Sequence, residues 1–267
     1  KNCGIKPDII VEPTCGIGNF IAAAIDVFHT VKKVYGVEIS EEYISQTEQR
    51  LQKYKNSNRI DSYRLYNTNV FSFAFDEIAN ENKNKNILVI GNPPWVTNSG
   101  LGRTSGTNLP AKSNINNTRG IEAITGKGNF DIAESICNMM IDAFTRHPNT
   151  HIALLAKNSV IKNIIYRQHL HPRHIQNIKQ LSFDAKREFN VSVAASLFEC
   201  HIGEHYQKQC TAYDFYTRQR SHIFGWVNDA FVSNVQGYEL THFLDGQSPL
   251  IWRSGIKHDC SKVMELS

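Results

Sequence analysis

A chain of 267 residues, 41% hydrophobic and 20% charged, has the make-up of an ordinary globular protein with one large core and a small appended piece. No apolar run approaches the length of a membrane span and Lys1-Asn2-Cys3-Gly4 is not a signal peptide, so no membrane partner is expected. A net charge of +4 permits an anionic partner without demanding one.

Strand and helix patterns alternate from the start. Asp8 to Val11 reads as a short buried strand, and Phe20, Ile21, Ala24, Ile25 and Phe28 recur at helical spacing after a glycine turn. Val34 to Val37 is a second strand. Ser40 then caps a helix to about Lys53, with Glu41 and Glu42 favorable to its dipole. Tyr63 to Tyr66 and Ile87 to Ile90 are the third and fourth strands.

From Val96 to Asn129 periodicity disappears. The segment is rich in Gly, Ser, Asn and Thr, carries Arg103, Lys112, Arg119 and Lys127, and reads as a long basic loop. Order returns with a helix over Phe130 to Phe144, a strand over Ile152 to Ala156 and a helix over Val160 to His169. Ile178 to Phe183 and Val191 to Phe198 read as two further strands joined through Asn190 as a hairpin. Beyond His201 the pattern weakens, and 223–267 shows no clear period. The expected fold is α/β: a doubly wound, mostly parallel seven-stranded sheet with an antiparallel edge hairpin.

Six cysteines, at positions 3, 15, 137, 200, 210 and 260, are scattered without a Cys-x-x-Cys pair and read as free thiols of a reducing cytoplasm. Cys200-His201, His205 and Cys210 match no standard zinc spacing, so no metal site is expected.

Three segments carry chemistry. Val11-Glu12-Pro13-Thr14-Cys15-Gly16-Ile17-Gly18 joins the first strand to the first helix. Gly16 and Gly18 allow a tight turn and close backbone approach, the helix start offers amides to a carboxylate, and Glu12 suits an amine. Those preferences fit an amino acid better than a pyrophosphate. The third glycine of the dinucleotide fingerprint is replaced by Ile21, which also argues against a nicotinamide oxidoreductase. Glu38, ending the second strand, can accept from both hydroxyls of a ribose. The strongest signal is Asn92-Pro93-Pro94-Trp95 at the end of the fourth strand. Two prolines stiffen the backbone and remove donors, a side-chain oxygen beside an outward carbonyl makes two acceptors for one amino group, and Trp95 offers a flat ring.

At these places the chain resembles the class I S-adenosylmethionine-dependent amino-methyltransferases, in particular the gamma-ordered adenine-N6 DNA methyltransferases of restriction–modification systems. The resemblance, covering Pro7 to Phe198, implies S-adenosyl-L-methionine as cofactor and double-stranded DNA as partner, with a nuclease or specificity domain or subunit alongside. It places Glu12, Pro13, Cys15, Gly16 and Gly18 around the methionine portion, Glu38 on the ribose and Ile39 against the cofactor's adenine, and counts Asn92 among the cofactor-binding residues as well. Asn69, close to Phe71, stands where the family often has an acidic residue for the cofactor's adenine amino group. The target adenine falls to Asn92, Pro93, Pro94 and Trp95, with Phe189 packing on the flipped base. Phe130-Asp131 resembles a further family motif, and the basic loop is assigned to DNA phosphates.

The family pattern is incomplete at both ends. The expected organization is therefore a catalytic domain over 1–222 and a tail over 223–267 leading toward a recognition domain outside the chain. RNA bases and protein glutamine remain alternative substrates, because related enzymes share Asn-Pro-Pro-aromatic. A non-catalytic nucleic-acid-binding subunit of the same fold is the alternative from another class.

Overall fold

The computed structural model describes residues 4–95 and 131–246. The loop over 96–129 with Arg103, Lys112, Arg119 and Lys127, together with Phe130 and the end of the tail from 247, lies outside the described residues.

Strands and helices alternate through the first two-thirds of the chain. β1 (Ile9–Glu12), β2 (Lys33–Glu38), β3 (Ser62–Asn67), β4 (Ile87–Gly91) and β5 (Thr150–Lys157) are all parallel, in the order β3-β2-β1-β4-β5. Between them run α1 (Asn19–Val27), α2 (Glu41–Asn56), α3 (Phe75–Glu81) and α4 (Ile132–Phe144). The β1 side chains alternate between two cores. Ile9 and Val11 join the cluster containing Phe75 of α3 and Met140 of α4, while Ile10 packs with Ile21 and Ile25 of α1 and Leu51 of α2. A strand covered on both faces reads as an unbroken apolar run, which is why Ile9-Ile10-Val11 and Ile87-Leu88-Val89-Ile90 were visible in the sequence.

The Ser40 cap forms as expected: its hydroxyl accepts from the Tyr43 amide at 3.4 Å, with Glu41 and Glu42 in the first turn and Lys53 and Lys55 in the last. Such a cap is worth about 1 kcal/mol.

The sheet has ten strands rather than seven among the described residues, in the order β10-β9-β8-β6-β7-β5-β4-β1-β2-β3. After α5 (Asn158–Leu170) come β6 (Ile175–Phe183), the short helix α6 (Ala185–Phe189) and β7 (Ala195–Ile202). β7 slots between β5 and β6, antiparallel to both. The antiparallel pair is present but is not an edge, because β8 (Gln209–Asp214) adds to β6 in parallel and β9 (Arg220–Val227) and β10 (Ala230–Val232) follow antiparallel. Position 222 falls inside β9. β7 begins at Ala195, not Val191, since the chain leaves α6 through Asn190 at φ 56 and stays exposed to Ala194. The final described helix is α7 (Val235–Thr241).

Candidate active site

β1 has β2 on one side and β4 on the other, and the connections leave in opposite directions. The carboxyl ends of β1 and β4 thus border the crevice where open α/β sheets bind ligands. Glu12 ends β1 and Asn92 follows β4. They are close: a Cβ on Gly91 would lie 3.3 Å from the Glu12 Cγ.

Three polar oxygens at the crevice are left open. Glu12 Oε2, Thr14 Oγ1 and Asn92 Oδ1 are buried and have no hydrogen-bond partner among the described residues. An unpartnered buried polar atom costs roughly 1–3 kcal/mol, so three clustered at two strand ends mark a place built for a donor-bearing ligand. Glu12 is 2% exposed. Burial is the main cause that pushes its carboxyl well above the usual 4.5, opposed by the Ile21 amide and reinforced by Glu38. One helix-start amide is therefore already taken by Glu12.

The glycine turn is braced from three sides. Gly16 N–H donates to Glu38 Oε2 at 2.9 Å, Cys15 N–H to Val37 O at 2.9 Å, and Thr47 Oγ1 to Gly16 O at 2.8 Å. Gly18 has φ 74, and a Cβ there would meet Thr47 Cγ2 at 2.9 Å, so the left-handed conformation and the space both call for glycine. Glu38 Oε1 accepts from the Ser40 amide at 2.9 Å. Both carboxylate oxygens are thus aimed and held while each retains a second lone pair.

No protein-family model matches the chain. It is 37% identical to the type II methyltransferase M.NspV of Nostoc sp., over 98% of this chain and 54% of the relative. The chain resembles a type II methyltransferase. It spans about half the length of that relative. Among solved structures it is similar to the type IIL restriction-modification enzyme MmeI in complex with DNA, at TM-score 0.49 and 13% identity, covering 85% of this chain and 34% of that one. It is also similar to the METTL16 methyltransferase domain, at TM-score 0.46 and 7% identity, covering 74% and 61%.

The residues singled out in the sequence fall into two groups around the crevice. Glu12, Pro13, Cys15 and Gly18 are buried in or under the glycine turn, Gly16 is half-buried at its top, and Ile39 is exposed beyond Glu38. Asn69 spends its side-chain oxygen on the Phe71 amide at 3.0 Å, capping a one-turn helix, while Phe71 packs on the main core. The Asn69 oxygen keeps a second lone pair after this bond. On the other side, Trp95 Nε1 donates to Leu155 O at 3.3 Å, fixing the indole against β5. Phe189 stands edge-on to it, with ring centroids 5.8 Å apart and planes at 72°. Asp131 caps α4 through the Ala133 amide and pairs with Lys157 at 2.9 Å.

Sequence reasoning missed Thr47 and Asn67. Thr47 is buried on α2, and Asn67 Nδ2 donates to the carbonyls of Glu38 and Ile39 at 3.1 and 2.9 Å. Neither sits in a motif; each acts at long sequence distance on backbone that does. Cys200 and Cys210 are core residues, and among the described residues no group of three His, Cys, Asp or Glu could hold a metal. No helix among them is long and apolar enough to cross a membrane.

Glu12 leads to a pH prediction for the ligand-free protein. Its folded-state pKa lies above the unfolded one, so between the two values the folded chain holds the extra proton and stability falls as pH rises. Glu12→Gln removes this slope. Thermal melts from pH 5 to 8 are expected to diverge, the wild type losing stability relative to the variant as pH increases. Parallel profiles would mean that the carboxyl titrates normally.

Proposed function

We propose that this chain is the catalytic part of an S-adenosylmethionine-dependent DNA methyltransferase acting on the exocyclic amino group of adenine in a restriction–modification setting in the cytoplasm. The observation that carries the reading is Asn92 Oδ1, a buried acceptor with no partner among the described residues, in an Asn-Pro-Pro-Trp segment beside the glycine-turn crevice. Likeness to a type II methyltransferase supports methyl transfer as the reaction class.

The crevice suits the cofactor. Glu12 Oε2 meets an ammonium group, the free helix-start amides meet a carboxylate, and Glu38 accepts from ribose hydroxyls. When bound, S-adenosylmethionine supplies an electrophilic methyl group. The adenine amino nitrogen is a poor nucleophile because its lone pair is delocalized into the ring. Asn92 Oδ1 and the Pro93 carbonyl would accept hydrogen bonds from its two N–H groups and so localize that pair. Trp95 supports the base, and Pro94 keeps the segment stiff. A base inside a duplex has to be extruded first, at a cost of a few kcal/mol.

The test is labelled methyl transfer by the full-length protein to DNA, RNA and protein in parallel. Label in the adenine N6 position of DNA is the expected result, and label in RNA or glutamine alone overturns the reading.

Trp95 and Phe189 meet edge to face, so a base cannot lie between parallel rings until one of them turns. The indole is tied to β5 by a hydrogen bond, whereas Phe189 is 42% exposed at the end of a five-residue helix and is held by edge contacts with Trp95 and Phe183. Stacking on an aromatic face is worth about 1–3 kcal/mol. Trp95→Phe and Trp95→Tyr are expected to keep most activity, and Trp95→Ala to lose about 10- to 100-fold. Cofactor affinity should be unchanged throughout, and 2-aminopurine at the target position should brighten on binding. Equal behavior of the alanine and phenylalanine variants would sink the stacking role.

A further inference from the structure

Aromatic rings continue outward from the Asn-Pro-Pro-Trp segment. Phe189 touches Phe183 at 5.8 Å between centroids, Phe183 touches Phe215 at 6.0 Å, and Phe215 touches Tyr216 at 5.6 Å. The row ends in the β8–β9 turn, whose backbone is closed by Asp214 N–H to Gln219 O at 2.9 Å and Arg218 N–H to Asp214 O at 3.0 Å. The turn is latched to α6 by Tyr216 Oη, which donates to Glu188 Oε1 at 2.8 Å.

Cations cover these rings. The Arg218 guanidinium lies 4.7 Å from the Phe215 centroid and Arg187 lies 5.0 Å from that of Tyr216. A guanidinium stacked on a ring is oriented without using up its edge donors. The acids here are already engaged. Asp184 accepts from the Lys186 and Arg187 amides, Asp214 from the Tyr216 and Thr217 amides, and Glu188 from Tyr216. Arg187 shares Glu188 at 3.4 Å but stays 70% exposed. No ion pair among the described residues involves Lys186, Arg218 or Arg220. Phe189, Val191, Val193 and Tyr216 add exposed apolar surface. Apolar rings interleaved with exposed cations, only one of which shares an acid, fit a nucleic-acid strand better than a protein partner.

We infer that the β8–β9 turn and α6 form a second DNA contact, in which Arg187 and Arg218 hold backbone phosphates of the strand beside the extruded base. This rests on the DNA reading above and adds the surface that keeps the distorted strand in place. Each phosphate contact contributes nearly one unit to the slope of log affinity against log salt.

The experiment is fluorescence anisotropy of a labelled mixed-sequence DNA duplex with the full-length protein over a salt series. It compares wild type, Arg187→Ala/Arg218→Ala and a Lys53→Ala control on α2. The double variant is expected to bind about tenfold more weakly, with a salt slope shallower by about two, while cofactor affinity by calorimetry and the melting temperature stay at wild-type values. Wild-type DNA affinity and slope in the double variant overturn the inference and leave the enzymatic reading intact. A wild-type protein that binds no DNA overturns both. Tyr216→Phe, which loses the latch to Glu188 and keeps the ring, separates orientation from charge: a slope unchanged from wild type together with weakened affinity is the expected pattern.

Discussion

Asn92→Ala is expected to lower the rate of methyl transfer by about 100-fold or more while leaving the fold and cofactor affinity nearly intact. The size follows from what the oxygen does. It is buried without a partner among the described residues, so under the proposed mechanism it has no hydrogen bond to give up when the base enters. The fold should tolerate the change for the same reason. Asn92 sits just past β4, and its side-chain oxygen makes no hydrogen bond among the described residues. Single-turnover kinetics at saturating cofactor and DNA measure the chemical step directly. Turnover near wild type in the variant would remove the central support for the mechanism.

Glu38→Ala should weaken S-adenosylmethionine binding by about 1.5–3 kcal/mol, as loss of charge-assisted hydrogen bonds does. Under the proposed function the carboxylate has two tasks: the ribose, and the Gly16 and Ser40 amides that it holds at 2.9 Å each. Loss of the Gly16 anchor loosens the turn, placing the effect toward the upper end of that range. Calorimetry on the full-length protein gives the dissociation constant. An unchanged value would leave Glu38 as a structural brace of the turn and nothing more.

β1, β2, β4 and β5 and the segments at the crevice were legible in the sequence because burial on two faces forces apolar runs, and glycine and proline punctuate their ends. β3, an edge strand with no buried residue, was legible only from its tyrosines and leucine. The later strands were not. In β8 only Cys210 and Ala212 are buried, two small residues that write a faint alternation, and β9 begins exposed at Arg220 and Ser221. Val191 and Val193 read as strand by composition, yet both are exposed in the link between α6 and β7. Helices of seven and five residues, α3 and α6, are too short to establish a period. At the site, the side chains that face the crevice lie in motifs and could be named. The side chains that hold those motifs could not, because Thr47 reaches the glycine turn across 31 positions.

The position of β7 between β5 and β6 also dictates the order in which the sheet can be completed. As the chain emerges from the ribosome, β6 appears before β7, yet it has no neighbor to join on the existing sheet. The open side of β5, Thr-His-Ile-Ala-Leu-Leu-Ala-Lys, waits bare until Ala195–Ile202 is made. Bare edges of this kind recruit foreign strands. That one segment therefore seals the open side of the parallel half against misassembly and admits β6, and only after it can β8, β9 and β10, made later still, extend the sheet.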